Sequence, residues 1–231
     1  MQLRTTFSRL VGVLLLTLAM PLFAANADPF EDVNRKVFGF NDVLDRWLVK
    51  PAAKVYQWVM PDALDRGVTN FFDNVGEVSN VINSGLQGDL PQSGKSLGRL
   101  VINTTVGIGG LFDVATDWGV EGRDEDFGQT LAAWGVGDGP YVVLPLLGGR
   151  YLRDAFAIVP DAYISPLDQV DDVRVSNSLW ALKLLDKRAD LLDAEALISG
   201  DRYTFIREIY IQQREVATAN GQVDDDFGDD F

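Results

Sequence analysis

Gly94-Lys95-Ser96 has the residue types that close a phosphate-binding loop: backbone amides to cradle a phosphate, a lysine to neutralise it and a hydroxyl for its metal. Spacing removes that reading. The loop requires a glycine at position 89, where Asp89 stands; Gly88 is one residue too early and Pro91 lacks a donor. GVGDG at 135–139 is no better as a dinucleotide loop, because it lacks the G-x-G-x-x-G spacing and follows a short helical pattern ending at Trp134 rather than a strand. The acidic clusters Asp124-Glu125-Asp126, Asp171-Asp172 and Asp224-Asp225-Asp226 lack the D-x-D-x-D-G spacing that wraps oxygens around calcium, so they read as solvated charge. No two carboxylates stand out as an acid–base pair for glycoside hydrolysis. With no histidine and no cysteine, a Ser-His-Asp triad, a Cys-His dyad and a Cys/His zinc site are all beyond reach. No catalytic residue, metal or cofactor is expected, and the chain reads as a non-enzyme.

The partners narrow in the same way. A formal charge of −14, from 34 acids and 20 bases, leaves no basic footprint for nucleic acid. Residues 1–27 place Arg4 and Arg9 before an apolar run, Leu10–Phe23, and end Ala25-Asn26-Ala27, the order of a secretory signal peptide. That run is short of the ~20 residues needed to span a bilayer, so cleavage is expected between Ala27 and Asp28. The acidic end at 221–231 reads as a disordered tail. Its terminal Phe231 does not make a barrel strand, since GQVDDDFGDDF does not alternate.

Between those ends the positioning elements read as helices. Val33, Val37, Phe40, Leu44 and Trp47 step by four and three along one helical face, up to a stop at Lys50-Pro51. Pro51 suits the first turn of a short helix through Val59, which Pro61 ends. Leu64, Val68, Phe71, Val75, Val78, Ile82 and Leu86 give the most regular segment, closing at Gly88. Helical periodicity resumes after Pro91 until the glycines of 107–110, followed by short pieces at 111–120 and 126–134 joined by an acidic loop. A helix over 152–163, a long one over 173–198 and a last one over 201–219, with Arg207 and Glu208 facing out, complete the reading. A strand pattern occurs only at Tyr141–Leu144. Trp47, Trp58, Trp118 and Trp134 lie on or beside these helices, where they suit either packing or a membrane interface. The class is all-α.

The runs DPFEDVNRKVFGFNDVLD (28–45), LVKPAAKVYQWVMP (48–61), NFFDNVGEVSNVINSGLQGD (70–89), RLVINTTVGIGGLFDVA (99–115), FGQTLAAWGVGDGPYVVLPLLG (127–148) and RADLLDAEALI (188–198) resemble the MlaA/VacJ family, in order and over nearly all of 28–220. The resemblance implies a single ring-like domain of amphipathic helices lying in the inner leaflet of a Gram-negative outer membrane around an amphipathic channel, with a Gly/Pro-rich hairpin. It implies intermembrane phospholipid transport that keeps the outer membrane asymmetric. Outer-leaflet phospholipids would be removed and passed to a periplasmic MlaC-like carrier, with a trimeric porin as the membrane partner. It also implies site segments. Gly39-Phe40-Asn41-Asp42 matches an N-terminal motif that bears on gating. In the hairpin, from Phe127 on, Gly135, Gly137, Gly139 and Pro140 would make the turn, and Tyr141, Val142, Val143, Leu144 and Pro145 the apolar arm. One departure stands out: the family's best-known members carry a lipidated cysteine, and this sequence has none.

Overall fold

The computed structural model describes residues 28–220; the expected signal peptide, with Ala27 at its cleavage point, and the acidic tail lie outside them. Helix α1, Glu31–Leu44, sets Glu31 and Asp32 in its first turn, where carboxylates meet the positive end of the helix dipole. The expected stop at Lys50-Pro51 does not occur. The chain passes through one wide π turn, Asp45–Val49, directly into α2, Lys50–Val59, and the widened turn relieves both the missing proton and the ring clash that Pro51 brings to a regular helix. Pro61, extended at ψ 142°, starts α3, Asp62–Leu86, and Gly88 at φ +83° turns the chain into α4, Leu90–Thr105. Asp89 caps α4 from the Gln92 amide at 3.1 Å, so Pro91 sits in its first turn rather than before it.

Short helices α5, Val114–Asp117, and α6, Phe127–Ala133, follow, the latter closed by a reciprocal cap between Asp126 and Gln129. Strands β1, Tyr141–Leu144, and β2, Gly148–Tyr151, pair antiparallel with Tyr141 opposite Tyr151 and Leu144 opposite Gly148. The sequence pattern did not reveal β2, because Gly149 is there for closeness and not for alternation: a Cβ on it would collide with the Tyr141 ring. Then come α7, Leu152–Ile164, a 3-10 turn at Pro166–Gln169, α8, Val173–Ala194, a 3-10 turn at Glu195–Leu197, and α9, Arg202–Thr218.

These elements close on themselves. The π turn joins α1 to α2; α2 packs on α8, α8 on α3, α3 on α6, α6 on α9, α9 on β2, and β2 back on α1. The burial inside the ring is inverted. Among the described residues, buried polar side chains such as Asn74, Glu77, Asn80, Asn83, Gln92, Arg99 and Asn103 outnumber buried apolar ones. Trp58 is 86% exposed, Trp47 82%, Tyr163 78% and Phe156 71%. The apolar stripe of α1 and the π turn is split: Val37 and Leu44 are half-buried, Val37 against Tyr141, Val143 and Tyr203, while Val33, Phe40 and Trp47 are exposed. A water-soluble fold of this size hides such groups. Some inner polar groups are fully engaged, as Arg99 shows by binding Glu77 at 2.5 Å, the Val120 carbonyl at 2.5 Å and Asp113 at 3.1 Å, whereas Asn74 Oδ1, Ser84 Oγ, Gln92 Nε2 and Ser96 Oγ are buried without a hydrogen-bond partner among the described residues. No described helix is long and apolar enough to cross a membrane.

Candidate functional site

The hairpin is held by helix α1 through two asparagines seven positions apart, a spacing that puts both on one helix face. Asn34, buried, donates from Nδ2 to the Tyr141 carbonyl at 3.0 Å and to Asp28 at 2.8 Å, while its Oδ1 accepts the Val143 amide at 2.9 Å. An asparagine side chain thus takes the place of a neighbouring strand on the open edge of β1. Asn41 does the same at the tip, donating to the Leu144 carbonyl at 3.0 Å and accepting from the Leu146 amide at 2.8 Å. Two of the sequence-derived segments, 39–42 and 141–145, therefore meet. They do so through Asn41 alone: Phe40 points outward, a Cβ on Gly39 would touch nothing, and Asp42 turns to Arg46 at 2.8 Å and Arg202 at 3.3 Å.

The turn lies elsewhere than the sequence suggested. Gly135–Pro140 is not a hairpin turn but the lead from α6 into β1, and the strands turn at Pro145-Leu146-Leu147. Leu146 has φ +66° and is 76% exposed, a left-handed conformation that Asn41 helps to fix. Within the lead, Gly135 at φ +86° and Gly139 at φ +69° need glycine, whereas Gly137 is outside the left-handed region and has open space around it. Pro145 sits exposed at the turn rather than in the strand. Tyr141 and Val143 point inward, with burial pushing the Tyr141 hydroxyl up to about 12, while Val142 and Leu144 are half-buried. Phe127 begins α6 and stacks edge-on against Trp134 at 5.8 Å.

A charged knot fastens this lead to the ring. Buried Arg153 binds Asp138 and, at 2.9 Å, Asp154; Asp154 accepts from Tyr210 at 2.5 Å and pairs with Arg214, which also holds Asp126 through both nitrogens at 2.6 and 2.7 Å. Burial alone would raise the Asp126 carboxyl, but Arg214 outweighs it and holds it below the usual carboxylate range. Nearby Asp161 accepts the Phe127 amide at 2.8 Å, yet burial prevails there and lifts it to about 6.

Inside the ring two cavities meet at α9. One, of about 410 Å³, lies between α1, α8 and α9. Its apolar wall is Phe38, Leu191, Ile198, Phe205, Ile206 and Ile209, and its other end is ionic, with Asp42, Asp45, Glu195, Arg188 and Arg202. Arg188 reaches Asp45 at 2.7 Å and Glu195 at 2.8 Å, and Arg202 reaches Glu195 at 2.6 Å. Burial would raise Glu195, but those two guanidiniums and Lys50 bring it down to about 2. The other cavity, of about 480 Å³, is lined by Arg123, Asp124, Gln129, Gln212, Val216 and Ala217. Gln213 lines both. The first cavity sets an ionic end against an apolar wall, a combination suited to an amphiphile. Among the described residues no cluster of acids could hold a metal ion.

Sequence reasoning missed the α9 wall and, Asp42 apart, the ionic end. Arg188, Arg202 and Arg214 look like ordinary surface charges on amphipathic helices, and Arg207, expected outward with Glu208, has a side chain only 12% exposed. The one legible signal was the Asn34–Asn41 repeat.

Comparison with known proteins gives a consistent picture. A family model described as MlaA lipoprotein matches residues 26–217. The chain is 34% identical over 203 residues to the intermembrane phospholipid transport system lipoprotein MlaA of Escherichia coli K12, covering 85% of this chain and 80% of that protein. An uncharacterised protein of Rickettsia prowazekii is 38% identical over 196 residues, covering 82% and 77%. A solved structure concerned with the structural basis for maintenance of bacterial outer membrane lipid asymmetry superposes with a TM-score of 0.74 at 33% identity, covering 84% of this chain and 100% of that one.

Proposed function

The chain belongs to the MlaA lipoprotein family, and from that premise we propose that it serves intermembrane phospholipid transport, removing phospholipid from the outer leaflet to maintain outer-membrane lipid asymmetry. The observation that carries the reading is the inverted ring: apolar side chains outside, polar side chains buried inside, and a cavity with one ionic end and one apolar wall. Helices suit this setting because they satisfy their own backbone polar groups, so the ring lies in lipid without an open edge. Trp47 and Trp58 supply aromatic anchors of the interfacial kind.

In this account a phospholipid moves with its headgroup along the polar lining and its acyl chains against Leu191, Ile198, Phe205, Ile206 and Ile209. The lining replaces the headgroup's water, which otherwise costs several kcal/mol per unsatisfied polar group in hydrocarbon, roughly. The hairpin beside the route, fixed by Asn34 and Asn41, sets its width near α1. Nothing in this scheme breaks a covalent bond, in keeping with a sequence that has neither histidine nor cysteine. A trimeric porin holds the ring in the outer membrane, and a periplasmic MlaC-like carrier takes the lipid onward. With no cysteine for a lipid thioether, that hold rests on the exposed apolar girdle and the porin.

Mild detergent extraction of membranes from cells expressing the chain tests the reading. Phospholipid and a porin are expected to co-purify from the outer-membrane fraction. Recovery wholly in soluble periplasm without a porin would favour a lipid-binding shuttle instead, and release of free fatty acid from labelled phospholipid would overturn the absence of catalysis.

A further inference from the structure

Lys183 and Lys187 stand one turn apart on α8, on the face that runs on at helical spacing to Leu191 and Ala194 in the cavity wall. The arginines of the ionic cavity end and of the charged knot are engaged: Arg188 with Asp45 at 2.7 Å, Arg202 with Glu195 at 2.6 Å and Arg214 with Asp126 at 2.6 Å. Neither lysine forms an ion pair or hydrogen bond with any described residue. The Lys183 ammonium instead lies over two rings, 5.5 Å from the centre of Trp180 and 6.0 Å from that of Phe72.

Across from them stand Asp73 of α3 and Asp124 of the loop lining the second cavity; Asp168 of the 3-10 turn also acts on Lys183. Burial lowers the Lys183 pKa, and Lys187 adds to that; burial raises Asp73, and Asp124 adds to that. Two like charges one turn apart repel, and the carboxylates around them, Asp73, Asp124, Asp168 and Asp190, act on them without forming an ion pair. An anion between the two ammoniums relieves the repulsion. The rings below and Leu191 beside them offer that anion an apolar flank, which a free inorganic ion does not need.

We propose that half-buried Lys183 and exposed Lys187 form a phosphate-binding step on α8, holding the phosphodiester of a glycerophospholipid while its acyl chains lie toward Leu191 in the cavity wall. The step rests on the transport reading above and names where the headgroup pauses. Asp73 and Asp124 face the side on which a headgroup amine is carried.

The test is titration of the full chain in detergent with dihexanoylphosphatidylglycerol, read by calorimetry. The double substitution Lys183→Gln, Lys187→Gln is expected to weaken binding roughly tenfold or more, the scale of lost charge-assisted hydrogen bonds, and Lys183→Arg, Lys187→Arg to retain it. Glutamine keeps the helix. Wild-type protein supplies a reading independent of any variant: the Lys183 side-chain NMR signal is expected to shift on adding the lipid. Equal affinity of the glutamine variant and the wild type, an unmoved Lys183 signal, or inorganic phosphate binding as tightly as the lipid would each overturn the step while leaving transport intact. Absence of any lipid binding by the wild type would overturn the transport reading itself.

Discussion

Replacing Asn34 with alanine removes the side chain that stands in for a strand along β1. The Tyr141 carbonyl and the Val143 amide, bonded to it at 3.0 and 2.9 Å in a buried site, then lose their partner together. An orphaned buried group costs ~1–3 kcal/mol, so two give about 2–6 kcal/mol if no water enters, and the low end where it does. At roughly 1.4 kcal/mol per decade, local opening of the hairpin should become at least tenfold more frequent. Amide hydrogen exchange reads this directly, with Val143 expected to lose protection while α3 and α4, held by the Glu77–Arg99 network, keep theirs. Asn41→Ala is the matched control, expected to expose Leu146 and spare Val143. Unchanged Val143 exchange in a folded Asn34→Ala protein would refute the claim that α1 holds the hairpin.

Three further outcomes follow from the geometry. Gly139→Val is expected to lower the melting temperature, since φ is +69° and a Cβ would stand 3.2 Å from that of Leu152, whereas Gly137→Val should leave it nearly unchanged; equal effects would contradict the assignment of the lead. Asp161 binds its proton more tightly folded than unfolded, so stability is expected to rise as pH falls from about 7 toward 4, the window between its folded value of about 6 and the ordinary aspartate value of 3.8. Thermal melts of Asp161→Asn should lack that rise. Trp47→Ser with Trp58→Ser removes two outward anchors and is expected to weaken flotation of purified protein with phospholipid vesicles; unaltered flotation would show that the girdle lies elsewhere.

Most helices were legible because their apolar spacing is regular, whichever way the stripe faces. Direction was not legible. The stripe of α1 reads alike as core or as lipid-facing surface, and only the polar interior of α3 and α4, with Asn74, Glu77, Asn80, Asn83, Arg99 and Asn103 buried, shows which applies. The hairpin was half legible: Tyr141–Leu144 has a strand composition, but β2 is defined by Gly149 passing under the Tyr141 ring, a contact with no sequence pattern. The ionic end of the cavity escaped because Asp45, Arg188, Glu195 and Arg202 come from distant segments, joined only when the ring closes.

The most direct test of the account is lipid asymmetry in a Gram-negative strain that lacks its own protein of this family. Outer-leaflet phospholipid is measured on intact cells with an impermeant amine-reactive label. Expression of this chain is expected to return the labelled fraction to the level of the unmodified strain. A fraction that stays elevated while the chain is folded and in the outer membrane would contradict transport through the ring.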